Sequence, residues 1–289
     1  MMIIEAPAKI NLHLSVGAKR RDGYHDIASI LCTVAWGDTL TFAYADKDSV
    51  HFLPTGRLDP QENTVYQTLK LFKRRTGFTR GIQASVTKRI PVGAGLGGGS
   101  SDAAATLKAL DMMAGTKLPS ALLHSMAEDL GSDVPFFLEG GSAWVTGRGE
   151  KIAPLTAPNC DLGVTLLFPG FQSPTAEAFR FLDKVRTHTP AALPPSVLLQ
   201  AMNAPPSSWS YSNDFLEYSP YSALYKRLLQ HLLQYGADFV GLSGSGSTCF
   251  GIFMDQQRAQ EVPEYGCGAL TLGTRILRRQ SHEAVKATL

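Results

Sequence analysis

The residues best suited to chemistry begin with Pro91-Val92-Gly93-Ala94-Gly95-Leu96-Gly97-Gly98-Gly99-Ser100-Ser101, where five of the seven residues 93–99 are glycine. Without Cβ atoms the backbone N–H groups can come close to a ligand. The Ala-rich run behind the loop, from Ala103 to Leu110 with Leu107 and Leu110 three apart, predicts a helix, and Gly115 supplies its stop. A glycine loop feeding a helix N-terminus offers unpaired N–H groups and the positive end of the helix dipole, which suits an anion. Ser100 and Ser101 add hydroxyls that can donate to phosphate or help hold a magnesium ion.

Several nucleotide folds use such loops. Gly93, Gly95 and Gly98 satisfy G-x-G-x-x-G, but the acid at the required distance, Asp111, falls in the helix tail rather than after a second strand. The P-loop pattern fails because Gly99 stands where its lysine belongs. No H-R-D or D-F-G triplet of a protein kinase occurs. A flexible linker is the bland alternative, although linkers seldom join a strand-like run to a helix.

Other candidates lie far from the loop in sequence. Alternation in Lys9-Ile10-Asn11-Leu12-His13-Leu14 predicts a half-buried strand with Lys9, Asn11 and His13 on one face, lining either solvent or a cleft. Arg20 to His25 reads as a turn around Asp22-Gly23. Tyr24 and His25 beside it are either ordinary surface and core groups or partners for a planar ligand. Asp133 follows the Gly131 helix stop and precedes Val134, Phe136 and Phe137. It is either a turn acid or a carboxylate sheltered to act as a base. In the stretch 241–247, six of seven residues are Gly or Ser, a second loop exposing N–H groups and hydroxyls between apolar strands, or a plain β-turn.

The elements that must position these groups are legible in outline. Strands are expected over Ile27–Val34 and Asp38–Tyr44 with Trp36-Gly37-Asp38 as the turn between them, and Thr64 is expected to cap a helix from Val65 to about Arg75. A strand with Ile82, Ala84 and Val86 on one face delivers the chain to Lys88-Arg89, two cations that either strengthen the loop's positive potential or simply face solvent. Pro119 starts a helix with a stripe of Leu122, Leu123, Met126, Ala127 and Leu130. A domain boundary is expected over Pro154–Asn159, giving domains 1–155 and 156–289. Leu162–Phe168 is a buried strand, Phe179 lies on a helix after a Pro/Ser loop, 187–210 is an irregular Pro- and Ser-rich excursion, and Ala223–Gln234 is a helix.

With 289 residues, 44% hydrophobic and 18% charged, the chain has ample core for such a protein, and a net charge of +2 gives no reason to expect nucleic acid or an anionic membrane surface as partner. No apolar run approaches about 18 residues, so no membrane-spanning helix is expected. Cys32, Cys160, Cys249 and Cys267 have neither C-x-x-C spacing nor a disulfide framework, and with no signal-like N-terminus the expected setting is the reducing cytoplasm.

Taken together, the stretches Pro91-x-x-x-Gly95-Leu-Gly-Gly-Gly-Ser-Ser and Gly244-Ser-Gly246-Ser resemble the GHMP kinase superfamily, named for galactokinase, homoserine, mevalonate and phosphomevalonate kinases. Ala6-Pro-Ala-Lys9-Ile-Asn11-Leu, Asp22-Gly-Tyr24-His25, Leu130-Gly-Ser-Asp133-Val-Pro-Phe136-Phe and Ser212-Asn213-Asp214 narrow the likeness to its 4-diphosphocytidyl-2-C-methyl-D-erythritol kinase family. The resemblance implies an α+β fold of two domains, an S5-domain-2-like α/β domain followed by a ferredoxin-like α+β domain, with the active site in the cleft between them. It implies a soluble cytoplasmic monomer or weak homodimer that moves the γ-phosphoryl of ATP to the 2-hydroxyl of the methylerythritol portion, in isoprenoid (terpenoid) biosynthesis. By the same resemblance Asp133 is the base and Lys9 the cation that stabilises it and the transferred group. Pro91 to Ser101 hold the ATP phosphates, with Asn63 and Lys88 by the adenosine and Ser100 on Mg2+. Asn11 and Thr175 hold substrate, while Tyr24, His25 and Phe179 form the cytosine pocket. Asp102 has no assigned role. A sister kinase for homoserine or mevalonate, or a non-catalytic nucleotide-binding relative, is the alternative.

Overall fold

The computed structural model describes residues 1–54, 63–156, 161–189, 193–266 and 269–277. It opens on a long antiparallel hairpin, β1 (Met2–Lys19) and β2 (His25–Ala45), turned where Arg20 N–H donates to Tyr24 O at 2.7 Å. Then follow β3 (Ser49–Leu53), α1 (Thr64–Thr76), β4 (Gly81–Thr87), α2 (Gly98–Ala114), α3 (Ser120–Leu130), α4 (Val134–Glu139), β5 (Ser142–Gly147) and β6 (Lys151–Leu155). The second half contains β7 (Gly163–Phe168), α5 (Thr175–Val185), α6 (Pro195–Ala201), α7 (Asp214–Glu217), α8 (Ser222–Gln234), β8 (Phe239–Leu242), β9 (Cys249–Phe253), α9 (Gln256–Glu261) and β10 (Leu270–Arg275).

Two sheets result. The first runs β3-β4-β2-β5-β6 with β1 also paired to β2; the second runs β10-β7-β9-β8. Strand β2 is long because it serves three partners: it pairs with β1 along its length, with β5 through Ile27–Cys32 and with β4 through Thr39–Ala45. The turn expected at Trp36-Gly37-Asp38 is therefore absent, and one strand passes straight through. Gly37 permits this, because a Cβ there would lie 2.1 Å from Ala6 O and 2.6 Å from Pro7 Cα in the neighbouring strand. The glycine serves a close strand approach rather than a reversal.

Helices α1 to α4 cover one face of the first sheet. Leu40, Phe42, Ala84 and Val86 of the strands pack there against Leu69, Phe72, Ala103, Leu107, Met126 and Phe136. The opposite face of the hairpin does not meet solvent. Ile10, Leu12 and Val34 share a second apolar cluster with Val164, Leu166, Phe250 and Ile252 of the second sheet, plus Trp209 and Tyr211. Strand β1 is consequently buried on both faces, not half-buried as its alternation suggests: Lys9, Asn11 and His13 are as inaccessible as Ile10 and Leu12. The Pro-rich excursion contains the short helix α6 and anchors Trp209 and Tyr211 in this shared cluster.

Local signals explain the helix ends. Gly115 closes α2 in the left-handed region, and Gly131 closes α3 with its N–H on Ala127 O. Helix α1 is capped by Asn63, whose side chain accepts from Tyr66 N–H, and not by Thr64 as expected. Thr64 instead donates its hydroxyl to Gly99 O at 2.9 Å, tying α1 to the glycine loop. In the α3 stripe only Met126 and Ala127 are fully buried; Leu122, Leu123 and Leu130 are partly covered. Cys32 and Cys249 are buried free thiols, whereas Cys160 and Cys267 lie outside the described residues. Among the described residues no helix is long and apolar enough to cross a membrane.

Candidate active site

The two Gly/Ser loops, 148 residues apart at Gly95 and Ser243, are in backbone contact. Ser243 Oγ donates to Gly95 O at 2.9 Å and Thr248 N–H donates to Ala94 O at 3.2 Å. A Cβ on Gly95 would lie 2.1 Å from Ser243 O and 2.7 Å from Gly246 O. The segment before α5 closes the third side: Ser173 N–H donates to Gly93 O at 2.9 Å, Ser173 Oγ to Ser245 O at 2.8 Å, and the Thr175 and Ser245 hydroxyls meet at 3.3 Å.

The direction of these bonds matters. The carbonyls of Gly93, Ala94, Gly95, Leu96, Gly97 and Gly99 all accept from the protein, from Ser173, Thr248, Ser243, Lys9, Ser101 and Thr64 respectively. Among the described residues, no N–H from Val92 to Gly99 donates to a protein acceptor. The loop has turned its oxygens inward and kept its donors for a ligand at the N-terminus of α2, as an anion cradle requires. Gly93, Gly95 and Gly97 hold φ of +67°, +78° and +71°, conformations that make this alternation possible without a side chain to clash. Pro91 and Ser100 are partly exposed and Val92 is exposed beside the cradle. The Ser101 hydroxyl is directed elsewhere: it is buried and donates to Pro7 O at 2.7 Å.

Lys9 enters from β1. Its N–H donates to Leu96 O at 3.0 Å, and its side chain passes Gly97, where a Cβ would come within 3.1 Å of Lys9 Cγ. The ammonium donates to Asn11 Oδ1 at 2.5 Å and stands 3.9 Å from Asp133 Oδ2. Burial pushes the Lys9 pKa down and Asp133 pulls it back up, with burial the larger influence. Asp133 occupies the cap position of α4 but makes no capping bond, and its side chain is 37% exposed. That frees the carboxylate for an incoming group. Lys108 of α2 donates to Phe137 O at 3.1 Å, so the helix of the cradle and the helix behind Asp133 are fastened together.

Asn11 is committed to the protein: Oδ1 also accepts from Gly244 N–H at 2.8 Å, and Nδ2 donates to Ser29 Oγ at 2.9 Å. It joins the Lys9 ammonium to the second loop. Asn213 supports the same loop from below, donating to Leu242 O at 2.7 Å and Gly244 O at 2.8 Å. His13, next on the strand, accepts from Ser212 N–H through Nδ1, and its Nε2 is buried without a partner. Burial holds His13 down at about 4.

Lys88 stands behind the cradle, with a Cβ on Gly98 falling 3.3 Å from its Nζ. It is not the loose cation that the sequence suggests. It pairs with the fully buried Asp38 and, at 2.8 Å, with Asp102 of α2. Asp38 also accepts from Arg89 and Ile90 N–H. Burial pushes Asp102 up to about 7, Lys88 opposing and Asp38 adding to the shift. Sequence reading left Asp102 unassigned and gave Asp38 to a turn; only the fold reveals them as counter-ions.

At the β1–β2 turn, His25 is buried and stacks on Phe179 with ring centroids 5.1 Å apart and planes 22° apart. Its Nε2 meets Asp183 Oδ1 at 2.7 Å. Tyr24 stands outside this pair, exposed, beneath the Arg148 guanidinium at 5.1 Å. Phe179 therefore lies on His25. The i, i+4 spacing of Phe179 and Asp183 was the available clue to the second residue.

This architecture is that of a known group. The N-terminal domain of GHMP kinases matches residues 63–141 and their C-terminal domain matches residues 212–269. A 4-diphosphocytidyl-2-C-methyl-D-erythritol kinase of Bacillus pumilus is 37% identical over 270 residues, covering 91% of this chain and 92% of the relative. The enzyme of the same name from Treponema pallidum is 36% identical over 278 residues, covering 90% of this chain and 92% of the relative. A crystal structure of a 4-(cytidine 5'-diphospho)-2C-methyl-D-erythritol kinase superposes with a TM-score of 0.78 at 31% identity, covering 95% of this chain and 99% of its own. A homoserine kinase from Cytophaga hutchinsonii, 19% identical with a TM-score of 0.69 over 96% of this chain and 95% of its own, shares the fold. The chain belongs to the GHMP kinase family, small-molecule kinases with ATP as phosphoryl donor, beside the 4-diphosphocytidyl-2-C-methyl-D-erythritol kinases that it resembles over nine-tenths of its length.

Proposed function

We propose that the enzyme transfers the γ-phosphoryl of ATP to the 2-hydroxyl of 4-diphosphocytidyl-2-C-methyl-D-erythritol, a step of the non-mevalonate isoprenoid route, in the cytoplasm and as a monomer or weak homodimer. The observation that carries this reading is the meeting of a donor-lined cradle with the Lys9–Asp133 pair, 3.9 Å apart, under a second loop. We assign the two domains to residues 1–155 and 156–289.

The acceptor is a crowded tertiary alcohol, so positioning and charge carry the catalysis. Asp133, partly exposed and free of capping duty, takes the hydroxyl proton. Lys9, held by Asn11, faces the negative charge spread over the transferring group. The loop from Pro91 to Ser101 receives the ATP phosphates on its free N–H groups, while Asn63, the cap of α1, and Lys88, just after β4, flank the adenosine. Asn11 acts on substrate chiefly by fixing Lys9 and Gly244, and Thr175 lines the approach from α5. Tyr24, His25 and Phe179 receive the cytosine.

Among the described residues no group of three His, Cys, Asp or Glu forms a ready-made metal cage. That fits magnesium, which takes one or two protein ligands plus substrate phosphates. Ser100 in the first turn of α2 would hold it. When bound, it neutralises phosphate charge.

The test is ADP release with a panel of alcohols. The cytidine substrate is expected to be preferred over homoserine and mevalonate, and Asp133→Asn is expected to lower kcat by on the order of 10³-fold or more. Preference for homoserine or mevalonate, or full turnover by Asp133→Asn, would overturn the assignment.

A further inference from the structure

Asp183 has no role in the chemistry above, yet it is bound on both oxygens by residues of the β1–β2 turn. Lys19 Nζ donates to Oδ2 at 2.7 Å and His25 Nε2 meets Oδ1 at 2.7 Å. Burial alone would push this carboxyl up, but the bonds from Lys19 and His25 hold it below its ordinary value, so it is an ionised acceptor. A carboxylate that only accepts requires the proton of a neutral imidazole to sit on Nε2. Nδ1, across the ring, is then an acceptor. The ring cannot easily turn to exchange the two nitrogens. Phe179, one helical turn before Asp183 on α5, lies flat on it, and Phe215 in turn wedges edge-on against Phe179 with centroids 4.9 Å apart. Arg186, three residues on, donates to Val16 O at 2.6 Å and Gly17 O at 2.8 Å, pinning the end of α5 to the same hairpin.

We propose that Asp183 is a positioning residue for nucleobase recognition, holding His25 as the Nε2–H tautomer so that Nδ1 accepts from the exocyclic amine of the substrate's cytosine. The proposal rests on the cytidine reading of the site. Its chemical consequence is discrimination at one atom. Cytosine presents a donor amine where uracil presents a carbonyl oxygen, and an acceptor nitrogen meets the first favourably and the second unfavourably. Without Asp183 the imidazole can carry its proton on either nitrogen, and the Nδ1–H form would suit uracil. Lys19 contributes by keeping Asp183 ionised. Sequence spacing hid this device, since Asp183 and His25 are 158 residues apart.

Two measurements on the full chain decide the matter. The first is 15N NMR of the histidine ring nitrogens, with the His25 signals assigned by comparison with His25→Gln. Wild type is expected to show the Nε2–H tautomer at His25, and Asp183→Leu a mixture of tautomers. The second is steady-state kinetics with the cytidine substrate and its uridine analogue. Asp183→Leu is expected to raise KM for the cytidine substrate about 10-fold, the worth of one neutral hydrogen bond, with kcat and the KM for ATP within about 2-fold. Preference for cytidine over uridine falls in step, and Asp183→Glu restores part of it. An Nδ1–H tautomer in the wild type overturns the proposal whatever any variant does. Unchanged KM and preference in Asp183→Leu overturn it too, leaving the substrate reading intact, whereas no turnover with any cytidine compound overturns both.

Discussion

Replacing Gly95 by alanine tests whether the active site is built by contact between the two Gly/Ser loops. The added Cβ would stand 2.1 Å from Ser243 O, where ordinary contact begins at 3.4 Å, so the loops must part by about 1.3 Å. Neither partner is a flexible side-chain end; both are backbone, and the second collision, 2.7 Å from Gly246 O, blocks escape in that direction. The left-handed φ of +78° adds strain of roughly 1–2 kcal/mol for a residue with a Cβ. Overpacking of this kind costs about 1–3 kcal/mol more. Parting the loops also moves the cradle relative to Lys9, whose N–H is bonded to Leu96 O and whose ammonium is bonded through Asn11 to Gly244. A misplacement of about 1 Å lowers turnover on the order of 100-fold. The assay is kcat/KM by ADP release together with thermal unfolding, run beside Gly115→Ala. That control shares the strain, with φ of +65°, but meets nothing within 4 Å. It is expected to lose about 1 kcal/mol of stability and keep its activity. Gly95→Ala with kcat/KM within about 3-fold of the parent and an unchanged unfolding midpoint would refute the reasoning.

Two further predictions concern the buried face of β1. In Asn11→Leu, the Lys9 ammonium and the Gly244 N–H each lose an acceptor, a cost of about 1–3 kcal/mol per group, so kcat should fall about 10- to 100-fold. Losing an acceptor for the charged form also lowers the already depressed Lys9 pKa, so the alkaline limb of the kcat profile moves to lower pH; an unshifted limb would count against this account. His13 is held at about 4 from an ordinary 6.5, so the unfolded chain binds its proton first as pH falls. Its contribution is complete above about pH 6.5 and is lost down to about pH 4, worth about 3 kcal/mol in all. Urea unfolding at stepped pH should show that loss in wild type and not in His13→Gln.

Much of this was readable in the sequence wherever the cause is local. The glycine loop, the α2 helix, the Gly115 and Gly131 stops and the second loop all announce themselves within a few residues. The misreadings share a cause, which is that the deciding partner is remote. Trp36-Gly37-Asp38 has the composition of a turn, and only the passage of Pro7 beside Gly37 makes it a strand. Asn63 and Thr64 are both good helix caps by type; Gly99 O, 35 residues away, engages Thr64 and leaves the cap to Asn63. Alternation in β1 reports that one face is apolar but not that the polar face is covered too, by loops that arrive more than 200 residues later.

The same remoteness distinguishes the two lysines near the loop. In sequence, Lys9 lies on a strand far from the glycine loop, and Lys88 follows a strand just ahead of it. In the fold Lys88 is paired to Asp38 and Asp102, so together the three groups carry no surplus of positive charge to offer. Raising Asp102 to about 7 brings the trio closer to neutrality without turning it cationic. Lys9 is arranged differently: its hydrogen-bond partner is a neutral amide, and the nearest carboxylate stands at 3.9 Å, beyond hydrogen-bond reach. Its charge is therefore available to whatever enters between it and Asp133, and the cradle's remaining attraction for anions comes from the free N–H groups and the dipole of α2. Lys88 and its two carboxylates fix where the loop sits; Lys9 and the loop backbone keep charge and donors free at the cradle.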